Sequence, residues 1–430
     1  MGAERGLFTP NEASPADADL KQYYQRVRRQ SLRLCEPLEV EDYGVQPMDD
    51  ASPPKWHLAH TTWFFETFIL KPRVAGYQSY HSQFEYLFNS YYNGVGMPFP
   101  RPRRGHLSRP TVAEVLDYRQ QVDEQMLCLL DREGDATLSA HVTLGLHHEQ
   151  QHQELLLTDV KYNFGHNPLF PVYGGGPRPD EQSSRVSEFV EYVGGICSVG
   201  ASAGFCFDNE LPRHEVLIHP YKLANKLVSN AEFLEFIADG GYQRPELWLS
   251  EGWSTVQSQQ WCAPLYWHQL DGDWLEYRLD GLKALQPHLP VVHVSGHEAF
   301  AFATWRGARL PTEFEWEHAM SQQPITGSFV ESACYHPNGL STQDSSPIKQ
   351  AYGEVWQWTS SSYGPYPGYQ PLAGTLGEYN GKFMSSQLIL RGGSCATPAD
   401  HIRPSYRNFF YPPDRWQFSG IRLANGIGQG

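Results

Sequence analysis

No stretch of this 430-residue chain approaches the roughly 18 consecutive apolar residues that a membrane-crossing helix needs. Met1–Pro10 contains Glu4 and Arg5 and has no apolar core of export-signal length, so export is not expected. Positive charge is in deficit: 33 Lys and Arg face 48 Asp and Glu, a formal net charge of -15. That balance argues against nucleic acid or an anionic membrane as the main partner. Cysteine is scarce and odd in number, seven residues from Cys35 to Cys395 with no CxxC pair. Such usage argues against a disulfide scaffold or a CxxC zinc site and fits a reducing cytoplasm. A fixed-period repeat and a low-complexity tract are also lacking. What is present is apolar and aromatic material, 40% and 13% of the residues, enough for more than one core. At about 100–200 residues per domain, two or three domains are expected. The 18 histidines are the place to look for a metal.

Residues 1–165 read as helical, with helices expected at Asp17–Leu34, Lys55–Leu70 after Pro53 and Pro54, about Thr111–Arg132, and about Thr137–Asn163. Four helices of this length predict a bundle. The aromatic, Pro- and Arg-rich stretch of about 71–110 is too long for a simple turn, and loops of that size are often functional. Residues 166–185, with Pro168, Pro171, Gly174, Gly175, Gly176, Pro177 and Pro179, read as a linker. Residues 186–430 change texture. Short β-rich runs (Phe189–Val193, Glu215–His219, Leu388–Arg391) alternate with turns, and two good helices are expected near Asn230–Asp239 and Ser295–Trp305. This half is expected to be one α+β domain with much irregular loop.

The fourth helix carries His148-Glu149-Gln150-Gln151-His152. Histidines at i and i+4 share a helix face, so both can bind one ion, and neutral imidazole suits zinc, iron or copper. The string also fits HExxH, where Glu149 would be the base of a zinc hydrolase. A third ligand is needed. His60 shares a face with Trp56, Trp63 and Phe64 and should point into the bundle. His57 lies about 60° away and could cap the helix or face solvent. His60, His148 and His152 are the favoured set, with His141 in reserve; spacing does not choose the metal.

Trp56-His57-Leu58-Ala59-His60-Thr61, followed by His148–His152, resembles the DinB-like helical domain of the ergothioneine-pathway sulfoxide synthases. The second half is similar to formylglycine-generating-enzyme (C-type lectin-like) domains. The blocks that carry this are Phe207-Asp208-Asn209-Glu210 with Pro212 and His214, Gly240–Pro245, Arg309–Glu317, Gly353–Thr359 and Leu390–Ser394. The fold expected is therefore a DinB-like four-helix bundle followed by an irregular formylglycine-generating-enzyme-like domain. A formylglycine-generating enzyme would need a reactive cysteine pair where only Cys395 follows Ser394. Ovothiol synthases add a C-terminal methyltransferase, for which no room is expected before Gly430.

The resemblance implies an iron(II) enzyme that uses dioxygen to join a cysteine sulfur to the imidazole of Nα-trimethylhistidine (hercynine), leaving a sulfoxide. By the same resemblance, Gln151 and Asn408 match hercynine-contact positions. Phe409 and Phe410 offer aromatic faces to a trimethylammonium group. A thiol substrate brings a carboxylate, which calls for arginine. Arg101 and Arg104, in a loop whose alternating prolines suggest an extended course, are the expected clamp. Phe410 stands where relatives that use γ-glutamylcysteine tend to carry an acid, so free cysteine is the expected thiol. The family also uses a tyrosine as proton donor. Tyr91 and Tyr92 are preferred over Tyr363, Tyr366, Tyr369 and Tyr379, whose spacing does not match the familiar pattern. The competing expectations are a zinc hydrolase and a non-catalytic lectin-like module.

Overall fold

A computed structural model describes residues 17–132, 134–174, 187–340 and 346–427. The N-terminal Met1–Pro10 and the 175–186 part of the expected linker lie outside the described residues. Two compact units emerge. One comprises 17–163 together with 203–205 and 371–381; the other takes the described remainder.

The first unit is built on four long helices: α1 (Asp17–Arg33), α2 (Pro54–Phe65), α3 (Val112–Leu130) and α4 (Ala136–Gly165). Pro54 opens α2, where a fixed φ suits the first turn and the missing N–H goes unneeded. The expected single helix to Leu70 is interrupted: α2 passes into a π-turn at Glu66–Leu70 and then Lys71–Arg73. Thr111 and Glu114 form a capping box at the start of α3. Tyr24, Val27, Trp63, Phe65, Tyr118, Val122, Met126, Val142 and Leu146 are buried between the helices. Gly145 allows α4 to approach α2 closely, because a Cβ there would lie 2.7 Å from Phe65 Cε1 and 2.8 Å from Phe64 Cε1. One turn beyond this contact stands His148.

The second unit holds small sheets. In one, Leu388–Arg391 pairs antiparallel with both Trp356–Ser362 and Asn408–Phe410, and Ser419–Gly420 joins in parallel. The two expected helices are present at Asn230–Ala238 and Gly296–Trp305, each opened by a serine capping box. Two more are found at Ser250–Gln259 and Glu313–Met320. Trp316, Trp356, Trp358, Arg391 and Arg422 are fully buried. The architecture is thus a helical unit followed by an α+β one. Among the described residues, no helix is long and apolar enough to cross a membrane.

Candidate metal centre

His60 lies on α2 between Trp56 and Trp63, one turn to either side, with ring centroids 4.5 and 5.5 Å away and nearly parallel planes. His148 and His152 face it from α4. Ligand atoms of His60, His148 and His152 all lie within 4.8 Å of one another, and His60 Nε2 stands 3.2 Å from His148 Nε2. Two nitrogens bound side by side to one ion, each at about 2.1 Å, would sit about 3 Å apart, so the spacing fits a shared metal. The chemistry of the donors fits as well. Burial, then the mutual proximity of the rings, pushes His60 and His152 well below their ordinary values, and burial pushes His148 down to about 3. All three are therefore neutral imidazoles near pH 7, the form that ligates. His60 Nδ1 is held by the Phe88 carbonyl at 2.6 Å, leaving Nε2 for an ion.

The neighbours of the triad correct two expectations. Glu149 is fully buried, and both carboxylate oxygens are engaged. Arg28 donates to Oε2 at 2.9 Å, while Arg119 and Ser31 donate to Oε1. It forms part of an ion-pair cluster joining α1, α3 and α4, which removes the support for Glu149 as a hydrolytic base. His57 is neither a cap nor a surface residue: it is 3% exposed, with both ring nitrogens bonded. His141 is half-buried and outside the triad.

Tyr91 and Tyr92 belong to the same unit as the triad. Asn89 shapes their loop, its side chain donating to the Tyr92 and Gly96 carbonyls and accepting from the Tyr92 N–H. Tyr92 is fully buried against Trp63, Phe68 and Tyr91, and burial followed by the neighbouring Tyr91 and Tyr379 raises its phenol well above the usual value. The segment 371–381 brings a third phenol. Glu378 accepts the backbone N–H groups of Asn93 and Gly94 at 3.0 and 2.8 Å. Tyr379 beside it lies 5.7 Å from the His148 ring and 6.3 Å from Tyr91. Tyr363, Tyr366 and Tyr369 are instead bonded to Asn209, Glu313 and Asp208 in the second unit.

The two arginines part company. Instead of running extended, Arg101–His106 forms a 3₁₀ turn. It leaves Arg101 exposed beside Asp50 and sends Arg104 inward. Arg104 is 4% exposed, with its guanidinium carbon 3.4 Å above the Trp56 ring centroid. Nη1 donates to Ser52 Oγ at 2.9 Å, and no carboxylate among the described residues pairs with it. Burial and the charge of Arg101 depress its proton affinity, yet a guanidinium keeps its charge. A buried cation beside such a site calls for an anion. Gln151 is half-buried on α4, next to His152.

Asn408, Phe409 and Phe410 form one strand of the second unit, all half-buried. Phe409 stacks on Tyr363 with centroids 4.0 Å apart, and Phe410 meets Trp416 edge-on.

Residues 23–156 match the DinB superfamily, and residues 175–427 match the sulfatase-modifying factor enzyme 1-like domain. The fold and its histidine centre therefore define a DinB-type helical domain joined to a sulfatase-modifying-factor-type domain. The chain is 30% identical to a hercynine oxygenase of Mycolicibacterium thermoresistibile, with 96% of each chain covered. It is 31% identical to the hercynine oxygenase of Mycolicibacterium smegmatis over 92% of this chain and 96% of the relative. Ergothioneine biosynthesis protein 1 of Schizosaccharomyces pombe is 27% identical over 51% of this chain and 27% of its own length. The chain belongs to the hercynine oxygenase family.

Proposed function

We propose that this protein is an iron(II)- and dioxygen-dependent oxygenase of ergothioneine biosynthesis, forming the bond between a cysteine sulfur and the imidazole of hercynine and leaving a sulfoxide. The observation that carries the reading is the convergence of three neutral imidazoles without a carboxylate, in a chain aligned almost end to end with hercynine oxygenases. His60, His148 and His152 would hold the iron, which when bound would offer open positions to a thiolate and dioxygen and relay electrons between them, the four electrons that reduce dioxygen to the sulfoxide oxygen and water coming from the thiol and the imidazole C–H.

The protein's own groups do the rest. Arg104 binds the thiol substrate's carboxylate, with Arg101 near the mouth of the same loop. By the family resemblance Gln151 and Asn408 are the positions that match hercynine contacts, and Phe409 and Phe410 are aromatic faces of the kind a trimethylammonium group takes. Tyr91 and Tyr92 hold a proton at Oη for the reacting oxygen, with Tyr379 a third phenol beside His148. Holding the reactants side by side contributes much of the rate.

Oxygen uptake is expected only when iron(II), cysteine and hercynine are supplied together, and His148→Ala should abolish it. Peptide cleavage without oxygen would point to a hydrolase instead, and ligand binding without turnover to a lectin-like module. Tyr91→Phe and Tyr92→Phe are expected to divert oxygen toward oxidation of the thiol alone. Unchanged sulfoxide yield in both would remove their proposed role. Because Phe410 cannot pair an amine, cysteine should turn over faster than γ-glutamylcysteine; the reverse order defeats that assignment.

A further inference from the structure

His57 stands three residues before His60 on α2, turned off the triad face, and buried. Its Nδ1 lies 2.9 Å from His152 Nδ1, and its Nε2 lies 3.0 Å from Asp159 Oδ2. Asp159 belongs to α4, two turns beyond His152, and the same Oδ2 accepts the Ser52 backbone N–H at 2.7 Å. An imidazole thus sits between a candidate metal ligand and a buried, anchored carboxylate.

The polarity of this chain of hydrogen bonds follows from its far end. A carboxylate only accepts, so His57 donates to Asp159 from Nε2, and in that tautomer its Nδ1 is a bare acceptor. His152 must then donate from Nδ1, which leaves the lone pair of its Nε2 for an ion. We propose that His57, fixed by Asp159, is a positioning residue that sets the tautomer and ring orientation of His152 for metal binding. The inference rests on the reading that the triad holds a divalent metal. His60 is fixed differently, by the Phe88 carbonyl, and His148 Nδ1 has no partner among the described residues. Of the three histidines, His152 is therefore the one whose orientation hangs on a replaceable side chain. Partners of this kind on a ligand's remote nitrogen commonly raise metal affinity by roughly 10–100-fold.

The test is Co(II) titration of the full-length protein without substrates, followed by the d–d absorption of the bound ion. Asparagine places its Oδ1 two bonds beyond Cβ, as histidine places Nδ1, so His57→Asn keeps the acceptor. His57→Leu fills the space and removes it. Wild type and His57→Asn are expected to bind Co(II) alike and give the same band. His57→Leu is expected to bind roughly 10–100-fold more weakly with an altered band. Asp159→Ala, which keeps His57 but frees its tautomer, should weaken binding several-fold. Wild-type affinity in both His57→Leu and Asp159→Ala overturns the proposal. Equal losses in His57→Asn and His57→Leu also overturn it, since packing alone would then explain the effect. A wild-type protein that binds no Co(II) removes the metal reading itself, an outcome distinct from failure of the relay.

Discussion

Replacing Glu149 with alanine is expected to destabilise the helical unit by about 3–5 kcal/mol while leaving the metal-binding imidazoles chemically intact. Glu149 is fully buried, and the charges around it are Arg28 and Arg119, also buried. Truncation leaves two guanidinium groups without that counter-charge in a low-dielectric interior. Asp123, which holds Arg28 Nε at 2.6 Å, compensates only one of them. Burial alone would raise the Glu149 carboxyl, but Arg119 and Arg28, with Ser31, outweigh it and hold the group at about 2 against an ordinary 4.5. The pH dependence has a definite sign. A folded-state value below the unfolded one stabilises the protein above about pH 4.5, and the contribution disappears as pH falls toward 2. The amount is roughly 3 kcal/mol. Urea unfolding of the metal-free protein followed by helical circular dichroism, at pH 7 and at about pH 2.5, checks both parts. Glu149→Ala should lose stability mainly at the higher pH and show a flatter acid limb. A variant as stable as wild type but catalytically dead would instead mark Glu149 as a reacting group, as the hydrolase reading required.

Which parts of this centre could be read from the sequence depends on how local the cause is. His148 and His152 were legible because helical periodicity alone puts i and i+4 together, and His60 because two tryptophans mark the inward face of its helix. The same periodicity says nothing of what waits across the bundle. Glu149 looked like a base because HExxH describes one strand of contacts, whereas its partners Arg28 and Arg119 come from helices more than 100 and 30 residues-distant, respectively. His57 was ambiguous for the same reason, since Asp159 lies 102 residues away. Tyr379 was obscured by chain topology: it reaches His148 only because segment 371–381 folds onto the tyrosine loop through Glu378. The helix Glu313–Met320 did have a local signal, the Thr312/Glu315 capping box. It is only eight residues long, and its aromatic and acidic composition hid any periodicity.

Substituting Arg104 with methionine is expected to raise the KM for cysteine by about 10–150-fold, the value of a charged hydrogen bond of roughly 1.5–3 kcal/mol. The KM for hercynine should move little. The argument is electrostatic. A guanidinium whose carbon stands 3.4 Å over the Trp56 centroid and which bonds Ser52 has surrendered much of its hydration, and although the Asp159 carboxylate supports its charge, no carboxylate among the described residues forms an ion pair with it. A substrate carboxylate does, and in a water-poor setting that attraction is strong. The empty-handed cation should therefore cost stability until substrate arrives, so Arg104→Met is expected to unfold no more easily than wild type. Lysine should rescue poorly, because a point charge on a flexible stem neither stacks on Trp56 nor offers a planar fork. Cysteamine, which is cysteine without its carboxylate, isolates the contact. Wild type should prefer cysteine over cysteamine by the same factor that Arg104→Met loses, and in the variant the two thiols should become nearly equivalent. If the variant still discriminates as wild type does, the carboxylate is held elsewhere, and Arg101 becomes the residue to replace next.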